Sequence, residues 1–537
     1  MIPGLMQQRP LQIIDILRFA ARAHPSVEIV SREIDEPIFR YNYREFASRV
    51  ERAARALSAL GVRSGDRVAS LGWNTHRHLE LFYAVPGMGA VLSTVNPRLF
   101  DEQIVYVMNH AESEVLLLEK SFLPMVERLA QRFMHVKTYI VLSGQSVYQA
   151  GAVGARCYEQ LLDEQPAGFD WPTLDENAGA VLCYTSGTTG DPKGVLYSHR
   201  AIVLHALSAG LSGALGITAF DVVMPCSSLY HATAWGLPYV ALINAAKLVL
   251  PADKMDGESL HDLITSECVT ISGGVPTIWT MYLEYLDRTK NRPETLKRLV
   301  IAGSAVPRAM AMTLKVRFGI QVLQLWGMTE TSPMGVVATP TPGLLARGAT
   351  EADEVIWTRQ GRMQFGIELK VVDESGAEVP SDGVTQGILM VRGPWTIQKY
   401  YRADSSATDA EGWFNTGDIV TLDGDGYMRI TDRNKDVIKS GGEWISSIDL
   451  ENYAVAYPGV KLAAVVGVRH PRWEERPVLV IEAHDGASVD EAGLLEFLKA
   501  RVAKWWLPDR IFFESVPLTA TGKIDKKRIR QVHNKLD

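Results

Sequence analysis

A loop rich in glycine and hydroxyl side chains carries the clearest chemical signature in this sequence. It reads Tyr184-Thr-Ser-Gly-Thr-Thr-Gly-Asp-Pro-Lys-Gly194 and directly follows the apolar run AGAVLC. Glycines let backbone N–H groups turn toward one ligand, the hydroxyl groups add donors, and Lys193 supplies a cation. This combination predicts a polyphosphate site. It is not the GxxxxGK[ST] loop of common NTPases, because neither Ser nor Thr follows Lys193 to hold magnesium in that way.

Three further segments place chemically useful residues next to turn-forming ones. Ala302-Gly-Ser-Ala-Val306 follows the apolar run KRLVI, and its small residues would let a flat purine approach the backbone. Gly412-Trp-Phe-Asn-Thr-Gly-Asp418 ends in a carboxylate, which can accept two hydrogen bonds from a vicinal diol. Lys523 follows a glycine after a predicted strand, so its charge can swing into a site formed elsewhere. The neighbouring Lys526 and Lys527 are expected only to be solvated.

Hydrophobic periodicity indicates which elements position these segments. Apolar residues recur at helical spacing over 43–60, with Asn42 and Glu45 as a capping box and Gly61 past the end. Short apolar runs such as RVASLG (67–72) alternate with helical stretches over roughly the first four hundred residues. That alternation predicts an α/β fold in which layered βαβ units form largely parallel sheets. Helix and strand patterns over 447–516 predict a small C-terminal α+β domain.

Length and composition exclude several classes of protein. A chain of 537 residues exceeds one hydrophobic core, which predicts several domains. The net charge of −7 argues against a nucleic-acid partner. Four scattered cysteines with no CxxC spacing favour reduced thiols in a cytoplasmic protein over zinc or disulfides. The charge-free run 222–246 contains prolines and polar residues, so we expect a buried segment there and no transmembrane span.

The motifs together resemble the adenylate-forming superfamily of acyl-CoA synthetases, peptide-synthetase adenylation domains and firefly-type luciferases. Further motifs of that superfamily follow in the same order at 324–330, 412–418, 432–436 and 517–525, so the resemblance extends over nearly the whole chain. It is closest to medium-chain fatty acyl-CoA synthetases and methylthiopropionate-CoA ligases. The family's [ST]SG[ST]TGxPKG loop is matched at Ser186, Gly187, Thr188, Thr189, Gly190, Lys193 and Gly194.

The resemblance implies a role for each motif. Trp326 replaces the usual tyrosine and is expected to stack on adenine, for which an indole offers a larger face. Thr329 would contact the α-phosphate, Asp418 the ribose hydroxyls, and Arg433 the ribose or a phosphate. Lys523 would bridge the substrate carboxylate and the α-phosphate.

The residues expected to bind ATP or AMP are Thr185, Ser186, Gly187, Thr188, Thr189, Gly190, Lys193, Gly303, Ser304, Ala305, Gln324, Leu325, Trp326, Gly327, Met328, Thr329, Asp418, Ile430 and Arg433. The expected catalytic residues are Thr185, His231, Glu330 and Lys523, of which Thr185 and Glu330 would also hold magnesium.

The resemblance also implies an acyl pocket and a CoA site. His231 and Trp235 lie where related ligases place a histidine or an aromatic group against the acid, and Gly303 and Pro333 complete the expected pocket. The segment 230–233 reads YHAT where the fatty-acid branch often has FHV or FHN, which leaves the preferred acid open. The residues expected to bind CoA are Lys439, Ser440, Gly441, Gly442, Glu443 and Trp444.

The function implied is that of an AMP-forming acid:CoA ligase, which converts a short-chain or medium-chain carboxylic acid into an acyl-AMP and then an acyl-CoA. ATP, Mg²⁺ and CoA would be required. An aryl- or hydroxycinnamate-CoA ligase and an acyl-AMP ligase that loads a carrier protein stay open as alternatives. The expected domains are 1–431, a hinge at 432–436 that contains Lys435, and a mobile small domain at 437–537. Analogy with this branch suggests a homodimer.

Overall fold

Helices and strands alternate along most of the chain, and the computed structural model describes residues 6–185, 191–433, 436–440, 443–519 and 523–534. The helices are α1 (Ile13–Ala23), α2 (Tyr43–Ala59), α3 (His76–Gly87), α4 (Asp101–Ala111), α5 (Leu123–Leu129), α6 (Tyr158–Asp163), α7 (His199–Gly210), α8 (Leu237–Ile243), α9 (Gly257–Ser266), α10 (Pro276–Thr289), α11 (Arg308–Phe318), α12 (Pro342–Ala346), α13 (Ala349–Thr358), α14 (Ser447–Val455), α15 (Glu491–Lys499) and α16 (Lys526–His533).

The strands supply four sheets. They are β1 (Glu28–Ser31), β2 (Phe39–Asn42), β3 (Arg67–Leu71), β4 (Val91–Thr94), β5 (Val115–Leu118), β6 (Thr138–Val141), β7 (Arg156–Cys157), β8 (Gly179–Tyr184), β9 (Gly194–Ser198), β10 (Val222–Pro225), β11 (Lys247–Leu250), β12 (Ile271–Gly274), β13 (Arg298–Ile301), β14 (Gln321–Gly327), β15 (Met334–Val337), β16 (Arg362–Met363), β17 (Glu368–Val372), β18 (Gly387–Arg392), β19 (Phe414–Leu422), β20 (Met428–Arg433), β21 (Ile438–Ser440), β22 (Glu443–Ile445), β23 (Val460–His470), β24 (Glu474–Ala483) and β25 (Arg510–Phe513).

Helix α2 begins as predicted. The Asn42 side chain accepts a hydrogen bond from the backbone N–H of Glu45 at 3.0 Å, and the Glu45 carboxylate accepts one from the N–H of Asn42 at 2.9 Å. This reciprocal pair satisfies N–H groups that the start of a helix otherwise leaves without partners. The predicted helix over 43–60 is therefore confirmed to within one residue.

Two largely parallel sheets form the body of the large region. One has nine strands in the order β16-β15-β14-β13-β12-β10-β11-β1-β2, and the other has seven in the order β7-β6-β5-β3-β4-β8-β9. Helix α3 is buried along its whole length and contacts β1 of the first sheet and β4 and β8 of the second. A helix buried on every side lies inside a layered core, and the predicted α/β class is confirmed.

The end of the large region differs from the predicted βαβ alternation. Strands β17 to β20 form an antiparallel sheet in chain order. The link at 423–427 between β19 and β20 is a tight hydrogen-bonded turn, which joins antiparallel neighbours but is too short for a crossover helix. The alternation predicted largely parallel sheets over roughly the first four hundred residues, and it did not predict this antiparallel sheet, which begins at Glu368 and ends at Arg433.

The small C-terminal domain has the predicted α+β character. Strands β22, β21, β24 and β23 form one sheet in that order, β25 pairs with β24, and α14, α15 and α16 follow or separate the strands. Asp432 and Arg433, the first residues of the predicted hinge, belong to β20. The division at 432–436 stays a prediction, and Lys435 lies outside the described residues.

Among the helices that the described ranges contain, none has the length and apolar character needed to cross a lipid bilayer. The charge-free run 222–246 forms β10, a left-handed turn and α8, and almost all of it is buried. The expectation of a buried segment at this position is confirmed.

Candidate active site

One cleft brings the sequence motifs together. It has a volume of about 690 Å³ and lies where three strands end, β8 before Thr185, β13 before Ala302 and β14 at Gly327. Ligands of α/β sheets usually bind at the carboxyl ends of strands. The cleft is lined by Thr185, Asp191, Lys193, His231, Ala232, Trp235, Ala302, Gly303, Leu325, Gly327, Met328, Thr329, Glu330, Pro333, Tyr400, Ala407, Phe414, Asn415, Thr416, Gly417, Arg433 and Lys523.

The two ends of the phosphate loop are joined to each other. The backbone N–H of Thr185 donates to the Lys193 carbonyl at 2.9 Å, and the N–H of Lys193 donates to the Thr185 hydroxyl at 3.2 Å. The ammonium group of Lys193 lies 4.9 Å from the centre of the Tyr400 ring, a cation–π distance. The predicted contacts of Ser186, Gly187, Thr188, Thr189 and Gly190 lie outside the described residues.

Glu330 is buried at the edge of the cleft, and Tyr400 holds it there. The Tyr400 hydroxyl donates to Glu330 Oε1 at 2.7 Å, and the backbone N–H of Ile397 donates to the Glu330 carbonyl at 2.7 Å. Burial raises the pKa of Glu330, while the Tyr400 hydrogen bond and the charges of Arg433 and Lys193 oppose that rise. Tyr400 therefore contacts both residues, Glu330 through its hydroxyl and Lys193 through its ring. Sequence reasoning missed Tyr400, because a tyrosine in a loop after a strand carries no motif.

Asp418 is buried and bonded on both of its oxygens. The indole N–H of Trp326 donates to Oδ2 at 2.8 Å, and Arg433 Nε lies 3.1 Å from Oδ1. Asp418 and Trp326 are only 3% and 5% exposed, and Arg433 lines the cleft. These contacts fix the carboxylate beside the cleft. The stacking of Trp326 on adenine stays a prediction, since in this structure the indole supports Asp418.

Several predicted nucleotide contacts lie behind the lining of the cleft. The Gln324 carboxamide donates to the carbonyls of Ile356 and Trp357, at 3.1 and 2.6 Å, and accepts from Gln360 at 3.4 Å. The backbone N–H of Ile430 donates to the Gln360 side chain at 2.6 Å. Gln324 and Ile430 therefore belong to one amide network that supports strand β14. The roles of Gln324, Ile430, Ser304 and Ala305 at the nucleotide stay predictions.

The predicted acyl residues line the same cleft, and we call the part of the lining that they form the acyl end, and the part formed by Lys193, Glu330 and Arg433 the nucleotide end. His231, Trp235, Gly303 and Pro333 all line the cleft. Burial and the nearby charge of Lys523 lower the pKa of His231 to about 4. His231 is therefore neutral at physiological pH, and it adds no second positive charge beside Lys523.

The residues between His231 and α8 form a left-handed turn. Ala232, Thr233, Ala234, Trp235 and Gly236 have φ angles of 43°, 55°, 50°, 60° and 74°. Each L-residue in this region costs about 1–2 kcal/mol, so the turn persists only because the surrounding core determines it. It presents Ala232 and Trp235 to the cleft. No sequence pattern predicts such a run without several glycines.

Lys523 reaches the cleft from the small domain. Its backbone is held by Thr519, whose N–H donates to the Lys523 carbonyl at 2.6 Å and whose hydroxyl accepts from the Lys523 N–H at 3.2 Å. A Cβ atom built on Gly303 would lie 3.8 Å from Lys523 Cε, so the side chain extends to the loop after β13. Lys523 lies 330 positions after Lys193 in the chain, and only the fold brings the two cations into one cleft.

Two comparisons with known proteins agree with this architecture. The AMP-binding enzyme family model matches residues 17–401, and that of the AMP-binding enzyme C-terminal domain matches 449–523. The chain belongs to the AMP-binding enzyme family. The resemblance drawn from the motifs is thereby confirmed.

Full-length relatives of this AMP-binding enzyme are named CoA ligases. The chain is 44% identical over 532 residues to 3-methylmercaptopropionyl-CoA ligase of Ruegeria lacuscaerulensis, with 98% of each chain covered. It is 42% identical to medium-chain-fatty-acid–CoA ligase of Ectopseudomonas oleovorans, covering 98% of this chain and 97% of that one. The structure of ATP-bound MatB from Rhodopseudomonas palustris superposes with a TM-score of 0.82 at 25% identity, covering 97% of this chain and 99% of that one.

Of the segment expected to bind CoA in this AMP-binding enzyme, Lys439 and Ser440 are not among the residues that line the cleft. Lys439 is exposed, with its ammonium 3.8 Å from Glu374, and the Ser440 hydroxyl accepts from Arg476 at 3.2 Å. Gly441 and Gly442 lie outside the described residues, and Glu443 and Trp444 are described as backbone of β22. The CoA site stays a prediction.

Lys526 is not the solvated lysine that the sequence suggested. Its ammonium group bonds Glu451 at 2.8 Å and the Ser447 hydroxyl at 2.5 Å. The pKa of Lys526 is raised, because the charges of Glu451 and Asp432 outweigh its burial. Helix α16 folds against β23 and turns this side chain inward. Lys527 is exposed, as expected.

Proposed function

We propose that the chain is an ATP-dependent acid:CoA ligase that forms an acyl-AMP and then an acyl-CoA thioester. The observation that carries the proposal is that Lys523 of the small domain lines the same cleft as Lys193, Glu330, Arg433 and His231. Lys193, Arg433 and Glu330 form the nucleotide end of the lining, the predominantly apolar acyl residues form the acyl end, and Lys523 extends to Gly303 of the acyl end. A cleft divided in this way suits a nucleotide joined to an apolar acid.

In the first half-reaction a carboxylate oxygen of the acid attacks the α-phosphorus of ATP, and pyrophosphate leaves. Lys193 would neutralise the charge of the phosphates, while Asp418 would accept hydrogen bonds from the hydroxyl groups of the ribose. Lys523 would neutralise the carboxylate and the α-phosphate as they approach. Reactions of this kind depend on alignment and on charge stabilisation.

Magnesium fits the residues at the phosphate end. Mg²⁺ usually takes one or two protein carboxylates together with substrate phosphates. Glu330 is a buried carboxylate that lines the cleft with Thr185, whereas the described residues hold no cluster of three or more His, Cys, Asp or Glu side chains suited to a metal. Glu330 and Thr185 would hold the ion, which would offset charge on the phosphates.

In the second half-reaction the thiol of CoA attacks the acyl carbonyl carbon, and AMP leaves. Lys523 occupies the cleft in this structure, so we propose that the small domain rotates about 432–436 to admit the thiol. The Asp432 carboxylate accepts from the N–H of Ser447 at 2.7 Å, and Arg429 bonds Asp449 at 2.5 Å. These contacts join β20 to the start of α14, so a rotation at Lys435 would have to break them.

The acid that we propose is a short-chain or medium-chain acid. The support is that the acyl end of the cleft is formed by Ala232, Trp235, Gly303 and Pro333, together with a neutral His231, which offers no cation to a second carboxylate. A cytoplasmic location fits four free cysteines, three of them buried. A homodimer is proposed by analogy with ligases of this branch.

The test measures AMP release from ATP with a panel of short, medium, branched, thioether and aryl acids, each with and without CoA. We expect AMP and acyl-CoA to appear together only when CoA is present. Bound adenylate without a thioester would instead favour loading of a carrier protein. No adenylate from any acid would overturn the proposal.

A further inference from the structure

A buried histidine lies directly behind two walls of the acyl end. His205 is on α7 and is 2% exposed. Its Nε2 accepts a hydrogen bond from the backbone N–H of Met334 at 3.3 Å, and Met334 follows Pro333 of the cleft lining. On its other side, a Cβ atom built on Gly236 would lie 2.6 Å from His205 Cε1. The imidazole therefore fills the space between the left-handed turn and the segment 333–334.

The other neighbours of His205 hold the same segment. The Trp395 ring meets the imidazole edge-on with centroids 6.1 Å apart, and its indole N–H donates to the Met334 carbonyl at 3.0 Å. The Ser332 hydroxyl donates to the Trp395 carbonyl at 2.8 Å. Both backbone polar groups of Met334 are thus bonded by side chains from outside the cleft. The position of Pro333 in the cleft depends on them.

Burial keeps His205 neutral. It lowers the pKa of the imidazole to about 3, and a neutral Nε2 without a proton is what the Met334 N–H requires. An acceptor in this tautomer carries its proton on Nδ1. The His205 imidazole is therefore uncharged, and it affects the shape of the cleft through its size and not through a charge.

We propose that His205 is a specificity-determining residue, whose imidazole supports the two walls of the acyl end from behind, at Gly236 and Met334, and so sets the length of acid that fits. This inference rests on the proposed ligase function. Gly236 permits the close packing because it has no Cβ, and its φ of 74° suits glycine. The backbone of the left-handed turn packs against the His205 imidazole, so the size of that side chain sets how closely the turn approaches α7.

The test measures kcat/KM for a homologous series of straight-chain acids, with KM for ATP measured alongside. His205→Ala leaves room on the order of two methylene groups. We expect the preferred length to increase by one or two carbons, with a gain of about fourfold for each methylene that enters the vacated space. KM for ATP should not change. His205→Phe should act in the opposite direction and exclude the longest acids that the original protein accepts.

His199→Ala is the matched control. His199 lies on the same helix, is fully buried and accepts from the backbone N–H of Ile13 at 3.3 Å, away from the cleft. Its loss should lower stability without changing the preferred length. An unchanged length profile in each His205 variant that folds, or an equal change with His199→Ala, would overturn the inference. Absence of any acyl-AMP or acyl-CoA from the unmodified protein would overturn the ligase function instead.

Discussion

The two ends of the cleft are built on different principles. At the nucleotide end, polar side chains bond one another: Asp418 is held by Trp326 and Arg433, and Glu330 by Tyr400. At the acyl end, a strained left-handed turn presents Ala232 and Trp235 next to the neutral His231. Charge placement therefore governs the first end, whereas backbone shape and packing govern the second. Substitutions should separate the two ends, with effects on rate and ATP binding at one and on acid preference at the other.

The largest effect is expected from Lys523→Ala, which removes a charge from the junction of the two ends. Loss of one well-placed donor to a developing charge commonly costs about 10²–10³ in rate. Pyrophosphate release should fall by that factor, while ATP still binds because Lys193, Asp418 and Arg433 remain. Lys527→Ala, which alters an exposed lysine nearby, should behave like the unmodified protein. Equal rates of pyrophosphate release in Lys523→Ala and Lys527→Ala would show that Lys523 takes no part in adenylation.

Tyr400→Phe tests whether the nucleotide end depends on its internal hydrogen bonds. The ring stays over Lys193, but the Glu330 carboxylate loses the hydrogen bond from Tyr400. A hydrogen bond to a charged group contributes about 1.5–3 kcal/mol. We expect adenylation to fall about tenfold or more, and the magnesium concentration for half-maximal rate to rise. Tyr401→Phe is the control, since that hydroxyl lies beside Arg402 and the residue is not part of the cleft lining. An unchanged rate at every magnesium concentration would contradict the role of Tyr400.

Trp326→Phe should have a smaller effect at the same end. It keeps an aromatic face but removes the N–H that donates to Asp418, a loss of about 1 kcal/mol. KM for ATP should rise roughly fivefold, with little change in acid preference. Trp279→Phe removes a comparable buried indole, which is bonded to the Gly274 carbonyl at 3.2 Å in a separate hydrophobic core and is not part of the cleft lining. If that control raised KM for ATP equally, the contact with Asp418 would not be the cause.

The smallest effect should come from His231 and pH. Because its pKa is lowered to about 4, His231 gains a proton only as pH falls through that value, and it is neutral from pH 5 to 9. His231→Gln should lower kcat/KM for the acid a few-fold by changing the shape of the pocket. The pH profile between 5 and 9 should keep its form. A change of kcat/KM near pH 6.5 that is present in the unmodified protein and absent from His231→Gln would show that a charge on His231 also acts at the acyl end.

Local patterns predicted much of the scaffold. Helix α2 follows from its apolar spacing and capping box, and the small domain follows from its alternating strands. These features depend on neighbours a few residues away, so the sequence contains them directly. The antiparallel sheet of β17 to β20 was not predicted, because short buried strands read alike whether they pair parallel or antiparallel.

The candidate site divides in the same way. Lys193, Glu330, Arg433 and Lys523 could be selected by residue type and motif, and the cleft contains all four. Tyr400 and His205 could not, since each acts there through contacts with residues distant in the chain, such as Glu330 for Tyr400 and Met334 for His205. Lys526 was misread for the same reason, because its partner Glu451 lies seventy-five positions earlier in the chain.

By itself, the sequence determined the class of chemistry, since binding phosphates and ribose requires particular charged and polar groups whatever surrounds them. The tertiary structure decided which of those groups meet, how Asp418 and Glu330 are held, and how the acyl end is shaped. The physical reason is range: a charge is a property of one residue, whereas the left-handed turn beside His205 exists only because a close-packed core leaves the backbone no other path.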